Sequence, residues 1–503
     1  MFIIFIIKSS LLLFLIYIIY ETYWKRRFLP PGPLPWPIAG NVPSMLFYDS
    51  LEEMFLIWKQ KYGNVITVWI GPIPFIMVCE IKTMKKYFVQ NAEIFSNRWR
   101  NHITDTFMNG ANGIVQVDGD KWREQRRFAL SVLRDYGVGR AFIEEKIQGE
   151  IDSFINFLKR KSDQDVDICQ NAGVSVANII NSILFGSRFD QEDQIFHKMH
   201  AAIDRQFQLV VHPIMSLYIT APYMTKIPVI NKKWKELMEL RDDIWRYIYN
   251  ERFDPNNKPT DFVYSYLKEM HKRKIRGDPG YFHELQLRMV VLDLLFAGME
   301  TTATTLKWGF LYVMLNLRVQ DKIQEELDQF PSKITLSHKN SCPYTCATIN
   351  EIQRLANILP FNLPRTVADD ISIDGYFIPK NTLCIPQISV VLNDPSNFDN
   401  PKEFRPERFL CDDGKTIKKF DEFIPFSLGK RQCVGESLAK SELFLIFANI
   451  LRNFNLKPSP LFPLLSTKRL IGLTVSPPKY LCKIELRNKY HHICTVNFNK
   501  SEN

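Results

Sequence analysis

The chain has 503 residues, 46% hydrophobic and 23% charged, which excludes a disordered tail, a collagen-like fibre and a small disulfide scaffold. Lys and Arg number 64 against 54 Asp and Glu, a net charge of +10; this favours an acidic partner or an anionic membrane, whereas no dense basic run interleaved with aromatics supports nucleic acid. The nine cysteines are scattered, odd in number and without a CxxC pair, as expected in a reducing compartment.

Residues Phe2 to Tyr20 are apolar except at Lys8, Ser9 and Ser10, and a helix of that length spans about 28 Å, close to a bilayer's hydrocarbon core. Fourteen of them are Leu, Ile or Phe, which at roughly −0.3 to −0.6 kcal/mol each outweigh a penalty of about +3 for Lys8. The competing reading is a cleaved signal peptide. No small-residue cleavage site follows it, however, and Tyr23, Trp24, Lys25, Arg26 and Arg27 form the aromatic and basic flank of a helix end facing the cytosol. Residues 1–22 are therefore expected to be a transmembrane anchor. The run from Pro30 to Pro37, PPGPLPWP, has fixed φ angles and few amide donors, so residues 23–37 predict a basic, proline-rich hinge that is stiff and extended.

From 38 to 487 the apolar periodicity continues without an internal repeat and predicts one globular domain; the polar residues 488–503 predict a frayed tail. The patterns predict helices over Leu51–Tyr62, Asp120–Leu133, Ile143–Lys161, Glu284–Leu317 and Pro343–Leu359, with strands over Val65–Ile70, Ile73–Val78, Ile371–Ile373 and Leu383–Ile385. The fold class is thus mainly α with small β-sheets. Gly137 to Gly139 lacks the third glycine of a dinucleotide fingerprint and reads as a loop. His200 to Ile230 has no clear period and suits a lid, a membrane-dipping surface or plain core. Cys342 and Cys346 have no His pair at zinc spacing.

Three stretches carry chemistry. In AGMETT, Ala297 to Thr302, Gly298 weakens a long apolar helix and Thr301 can bond a backbone carbonyl, opening a groove for a small ligand. In EIQR, Glu351 and Arg354 stand at i and i+3 on one helix face and can pair. In FSLGKRQCVG, Phe426 to Gly435, Cys433 precedes an apolar helix whose amides and dipole favour the thiolate; Gly429 and Gly435 allow tight turns, and Arg431 supplies a cation nearby.

The last stretch, Phe-x-x-Gly-x-Arg-x-Cys-x-Gly, resembles the haem-binding signature of the cytochrome P450 family, and the resemblance runs from the anchor to about Leu486. It is closest to the animal microsomal, drug- and lipid-oxidising branch. It implies a single haem-containing catalytic domain, with haem b as cofactor and Cys433 as the axial ligand of its iron. Phe426 and Gly435 belong to the same cofactor loop. Glu351, Arg354 and Arg408, the last in PKEFRPERF, resemble the family's structural triad, which holds the haem pocket. By the same resemblance Trp122, Arg126, Arg98, Arg365 and Arg431 bind the haem propionates, Thr301 orients dioxygen, and Glu300 helps relay protons.

The reaction implied is insertion of one atom of dioxygen into an apolar organic substrate (a xenobiotic, fatty acid or steroid), with electrons from NADPH. No flavin or nicotinamide motif stands in the chain, so the electrons are expected through an NADPH-cytochrome reductase, with cytochrome b5 as a further candidate partner. Arg123, Arg127, Lys430 and Lys440 would form a basic docking face. Val115, Phe296, Ala297, Leu359 and Leu363 are expected to line the substrate pocket, and the endoplasmic reticulum membrane is the expected location, with the catalytic domain facing the cytosol. Two other classes share the cysteine: a haem-thiolate isomerase or dehydratase, against which Glu300 and Thr301 argue, and a non-catalytic haem-binding sensor.

Overall fold

The structure, a computed structural model, describes residues 2–135, 141–250, 261–462 and 465–487. The Gly137 to Gly139 loop and the 488–503 tail lie outside the described residues.

The amino-terminal helix Phe2–Ile19 buries none of its side chains, as suits an apolar rod made for lipid rather than for a protein core. Irregular turns carry the chain through Lys25–Phe28 to the prolines. These do not form a separate spacer. The Pro30 carbonyl accepts from the Thr67 hydroxyl at 2.7 Å and the Pro31 carbonyl from the Thr67 amide at 2.9 Å. A Cβ on Gly32 would stand 2.0 Å from the Thr67 oxygen, so the glycine lets this run lie flat along the strand Val65–Ile70.

That strand opens a five-stranded sheet, which continues through Ile73–Val78, Leu383–Pro386, Arg365–Thr366 and Asn97–Arg98. The last two are antiparallel and place Arg98 directly opposite Arg365. A three-stranded sheet joins Asp165–Val166, Cys482–Leu486 and Phe454–Pro458, and a hairpin pairs Ile371–Ile373 with Tyr376–Ile378. Helices make up most of the remainder.

The central element is the helix Glu284–Leu315, 32 residues long and thus about 48 Å. Its first turn is capped by the His283 ring, which accepts from the Gln286 amide at 3.2 Å, and most of its side chains are buried. It ends at Leu315 rather than Leu317 because Asn316 leaves helical geometry and a new helix, Leu317–Asp328, begins. It packs against Ile168–Leu184, Pro343–Ala356 and Glu436–Asn453. The second of these stops at Ala356, three residues before the expected end. Asn357 takes the left-handed conformation, φ 38°, that commonly closes a helix, and this turns Ile358 and Leu359 out of the helix and onto a cavity. The region from His200 to Ile230 is mostly helical, over Gln194–Val210, Pro213–Thr220 and Pro222–Lys226. It is part core and part surface, with Met215 and Tyr218 buried but Tyr223 and Val229 exposed.

Candidate active site

Cys433 sits in the turn that enters the helix Glu436–Asn453. Its amide donates to the Phe426 carbonyl at 3.1 Å, closing the loop, and Gly429 makes the loop possible. Gly429 has φ 73°, and a Cβ there would lie 2.0 Å from the Phe88 carbonyl oxygen. At Gly435 a Cβ would meet no protein atom within 4 Å, so its bare backbone leaves room on the cavity side. Burial pushes the Cys433 thiol above its ordinary value, and this outweighs the Gly435 and Glu436 amides that donate to the sulfur and the Arg126 cation. The helix-entrance amides and Arg126 favour the thiolate, as the sequence leads one to expect, while burial opposes it. The thiol faces a cavity of about 300 Å3.

The helix Gly119–Asp135, the strand Asn97–Arg98 and the Cys433 loop bring Arg126, Arg98 and Arg431 to this cavity's rim, and Arg365 lies opposite Arg98 on the next strand. Arg431 lies over the Trp122 ring at 3.9 Å, bonds the Ser96 and Val117 carbonyls at 2.6 Å each, and pairs with Asp118 at 2.9 Å. Arg126, one turn on from Trp122, donates to the Gln432 carbonyl at 2.6 Å. Arg98 donates to the Leu363 carbonyl at 3.0 Å, and Arg365 reaches the Leu428 carbonyl at 3.3 Å. Among the described residues Asp118 is the one carboxylate in an ion pair with any of these four, through Arg431, and it also accepts from the Arg98 amide at 2.7 Å. Burial pushes Arg98 down to about 10 against the pull of Asp118, and burial first and Arg98 second push Arg365 to about 9 and Arg431 to about 8. Guanidinium groups stay protonated, so the shifts reflect charge held out of water, to which the mutual repulsion of the arginines adds at Arg365 and Arg431. The Nε atoms of Arg98 and Arg365 are buried without a hydrogen-bond partner, although like charges directly across a strand pair repel. A flat apolar group with two carboxylates fits this rim, and the cysteine supplies a soft ligand for its metal. The residues fit haem.

The long helix forms another wall. Thr301 donates to the Ala297 carbonyl at 2.7 Å and lines the cavity with Ala297 and Gly298. The helix runs unbroken through Gly298, and a Cβ there would stand 2.4 Å from Ile180 Cδ1, so this glycine serves close packing against Ile168–Leu184 rather than opening the helix. Glu300 does not join Thr301. Neighbours along a helix are about 100° apart, and Glu300 points away from the cavity, accepting from the Thr304 hydroxyl at 2.7 Å and the Thr474 hydroxyl at 3.0 Å. Burial and then Asp204 raise its carboxyl above the ordinary range. His200, Asp204 and Glu300 come close enough to share an ion, but the Lys307 ammonium already supplies a cation there; Glu300 and Asp204 raise it against its burial.

Of the expected substrate contacts, Val115, Ala297, Leu359 and Leu363 line the cavity. Phe296 does not; it packs between Phe107 and Phe207, at 6.2 and 6.0 Å between ring centres. Sequence reasoning missed Ile114, Ile180, Ile183, Asp293, Asn357 and Glu442, all on the cavity. Asp293 accepts from the Ile114 and Val115 amides at 2.7 and 2.9 Å, fixing the loop that carries both.

Behind the site, Glu351 holds Arg354 at 2.7 Å and Arg408 at 2.9 Å, and all three are buried. The basic groups outside are already engaged in part: Arg123 with Asp120 and Glu93, Lys430 with Glu93, and Lys440 with Glu436. Arg127 is exposed.

A cysteine sulfur beneath helix amides, opening on an apolar cavity rimmed by more arginines than carboxylates pair with, defines a haem-thiolate protein. The chain belongs to the cytochrome P450 family, whose profile, described as Cytochrome P450, matches residues 30–484. Cytochrome P450 2B4 of Oryctolagus cuniculus is 37% identical over 461 residues, covering 90% of this chain and 93% of its own. Cytochrome P450 2A5 of Mus musculus is 36% identical over 481 residues, 93% and 96% of the two chains. Cytochrome P450 2J2 of Homo sapiens is 35% identical over 486 residues, 93% and 94%. The protein is a haem-thiolate monooxygenase, an oxidoreductase that uses dioxygen, an organic substrate and a redox partner. Its apolar amino-terminal helix suits anchoring at the endoplasmic reticulum membrane.

Proposed function

We propose that this enzyme oxidises apolar xenobiotics, fatty acids or steroids, taking electrons from NADPH through an NADPH-cytochrome reductase, with cytochrome b5 as an alternative donor. The observation that carries this reading is the cavity itself. Cys433 and Thr301 border one space whose other walls are largely apolar, including Val115, Ala297, Leu359 and Leu363, so a substrate without charge is favoured there.

In this reading Cys433 ligates the iron of haem b, and Arg98, Arg126, Arg365, Arg431 and Trp122 hold its propionates, with Phe426 and Gly435 shaping the loop. Haem, when bound, supplies the activation of dioxygen. Thr301 orients the oxygen and holds a proton at its hydroxyl, the Ala297 carbonyl fixing its rotamer. Glu300 acts on Thr301 only through the helix, since its carboxyl faces elsewhere. Glu351, Arg354 and Arg408 keep the Cys433 loop against the core. An isomerase or dehydratase would make no use of a threonine hydroxyl on the cavity, and a sensor would not need one.

Residues 1–22 would span the membrane, 23–37 would lead to the catalytic domain of residues 38–487, and that domain would face the cytosol. The exposed Tyr223 and Val229 would rest at the bilayer surface. A basic face of Arg123, Arg127, Lys430 and Lys440 would receive the reductase, weakened by the carboxylates that three of the four already hold. Reversing Arg127 and Lys440 is expected to lower the reduction rate at low salt and to have little effect at high salt; equal rates would remove this face from the reading. Product formation with reductase and NADPH, screened over fatty acids, steroids and small xenobiotics, tests the whole. If the reduced, carbon-monoxide-saturated protein lacks the thiolate Soret shift, the reading fails.

A further inference from the structure

On the side of the long helix away from the cavity, ionisable groups from two helices meet that the reading above does not use as a set. His200 and Asp204 stand at i and i+4 on Gln194–Val210, with Nδ1 and Oδ2 3.6 Å apart; Glu300 and Lys307 stand on Glu284–Leu315. One nitrogen or oxygen from each of His200, Asp204 and Glu300 lies within 4.8 Å of the other two. Gly173 on Ile168–Leu184 makes room for the imidazole, since a Cβ there would stand 3.3 Å from His200 Nε2.

Glu300 is the residue that calls for a ligand. It is 3% exposed, and a glutamate is almost never buried so fully unless paired. Its Oε1 accepts from the Thr304 and Thr474 hydroxyls, but its Oε2 has no hydrogen-bond partner, and its carboxyl meets that of Asp204. Two carboxylates turned on one another need a proton or a cation between them. Lys307 does not fill that place: its charge acts on both acids, yet among the described residues it makes no ion pair with either. The other charges nearby are engaged, Asp167 with Lys479 at 3.4 Å and His197 with Gln170 at 3.0 Å. Two carboxylates against one ammonium leave one negative charge to be answered.

Tetrahedral zinc, bound at about 2.1 Å, sets its ligands roughly 3.4 Å apart, close to the 3.6 Å between His200 and Asp204. An imidazole with two carboxylates is a zinc-type donor set, and positions i and i+4 let one helix present two ligands to one ion. Asp204 keeps 37% of its side chain in solvent, which gives the ion an entrance and leaves a fourth position for water. We propose that His200, Asp204 and Glu300 form a second metal site, separate from the haem pocket, that takes a divalent ion of the zinc type and clasps Gln194–Val210 to the long helix. The ion takes the place of the proton between the two carboxyls, that proton leaves to solvent, and no electron moves.

The test is metal uptake by the full-length holoenzyme, stripped with a chelator and dialysed against zinc buffered at low micromolar free concentration. Elemental analysis against haem iron should return one zinc per iron more in wild type than in His200→Ala or Asp204→Asn, each variant weakening the site by roughly a hundredfold or more. Zinc should also slow amide hydrogen exchange over Gln194–Val210 in wild type and leave it unchanged in both variants. Equal zinc content in the three proteins, or zinc uptake without protection of that helix, overturns the proposal. Should His200→Ala not retain haem, Asp204→Asn decides alone, because asparagine keeps the shape of a side chain that is partly in solvent. The measurement involves no turnover, so its outcome is independent of the monooxygenase reading, which the carbon-monoxide spectrum tests separately.

Discussion

Removing the Glu351 carboxylate should cost more stability than any surface ion pair of this protein. Its Oε1 accepts from Arg354 Nη2 at 2.9 Å, Arg408 Nε at 2.9 Å and the Arg405 amide at 3.0 Å, and its Oε2 accepts from Arg354 Nε at 2.7 Å. Glu351→Ala leaves two buried guanidinium groups held only by carbonyls, Leu392 and Pro401 for Arg354 and Asp399 for Arg408. Breaking such a network costs about 3–5 kcal/mol. Against a total of about 5–15 kcal/mol this is a large share, and at 1.4 kcal/mol per decade it is roughly a hundred- to several-thousand-fold in the folded fraction. Urea unfolding followed by both fluorescence and the Soret band should show the loss. The triple replacement Glu351→Leu, Arg354→Met, Arg408→Leu should recover most of it, because the penalty lies in the uncompensated charge. A Glu351→Ala protein within about 1 kcal/mol of wild type, or a triple variant worse than the single, would refute the reasoning.

Thr301→Ala should keep haem and the carbon-monoxide spectrum while product per NADPH falls and peroxide rises, since the hydroxyl is held over the cavity by Ala297; unchanged coupling over several substrates would contradict that. Gly429→Ala forces a Cβ to 2.0 Å from the Phe88 oxygen at φ 73°, so beyond the roughly 1–2 kcal/mol of left-handed backbone the loop must move. Haem content of the purified variant should drop sharply. Asp293 is pushed up to about 6 by burial, which outweighs its two amide donors. Its neutral form therefore adds stability below the ordinary carboxylate range, and that contribution is lost as pH rises through about 6. Relative to Asp293→Asn, wild type should lose on the order of 2 kcal/mol between about pH 4 and pH 7, measurable as melting temperatures of the two proteins across that range.

What sequence could read depended on how locally each feature is determined. Val65–Ile70 and Ile73–Val78 were legible to the residue because Gly63 and Gly71 punctuate an apolar run. The strands Asn97–Arg98 and Arg365–Thr366 have two residues each and no period to detect. They set the Arg98 to Arg365 opposition, so the motif named the arginines while only the pairing shows why they need an anion. One residue of rotation separates Ala297, on the cavity, from Phe296, in an aromatic cluster, and Thr301 from Glu300. An acid next to an alcohol in sequence looked like a pair, but on a helix i and i+1 do not share a face. Glu442 was illegible for the opposite reason. In ESLAKSELFL it reads as the polar side of an amphipathic helix, and only the arrival of the long helix across it makes it buried.

The two signs of charge around the cavity belong to one argument. Arg98 and Arg431 on its rim and Arg365 on the strand beside Arg98 are pushed far down, and the acids Asp118, Asp293 and Glu442 are pushed up. Had Asp293 and Glu442 been ionised and turned to the arginines, the cations would be satisfied from within and the rim would have nothing to offer a ligand. Burial raises both carboxyls, against the amides that donate to one and the Thr302 hydroxyl that donates to the other, and keeps them out of that competition. The positive charge therefore stays at the edge beside Cys433, where it selects a dianionic group, while the walls toward Leu359 and Leu363 remain without charge and select an apolar one. An anionic substrate would then be drawn to the rim that the cofactor's own carboxylates would fill and gain nothing deeper in, so the electrostatics proposed to hold the cofactor would also set the class of substrate.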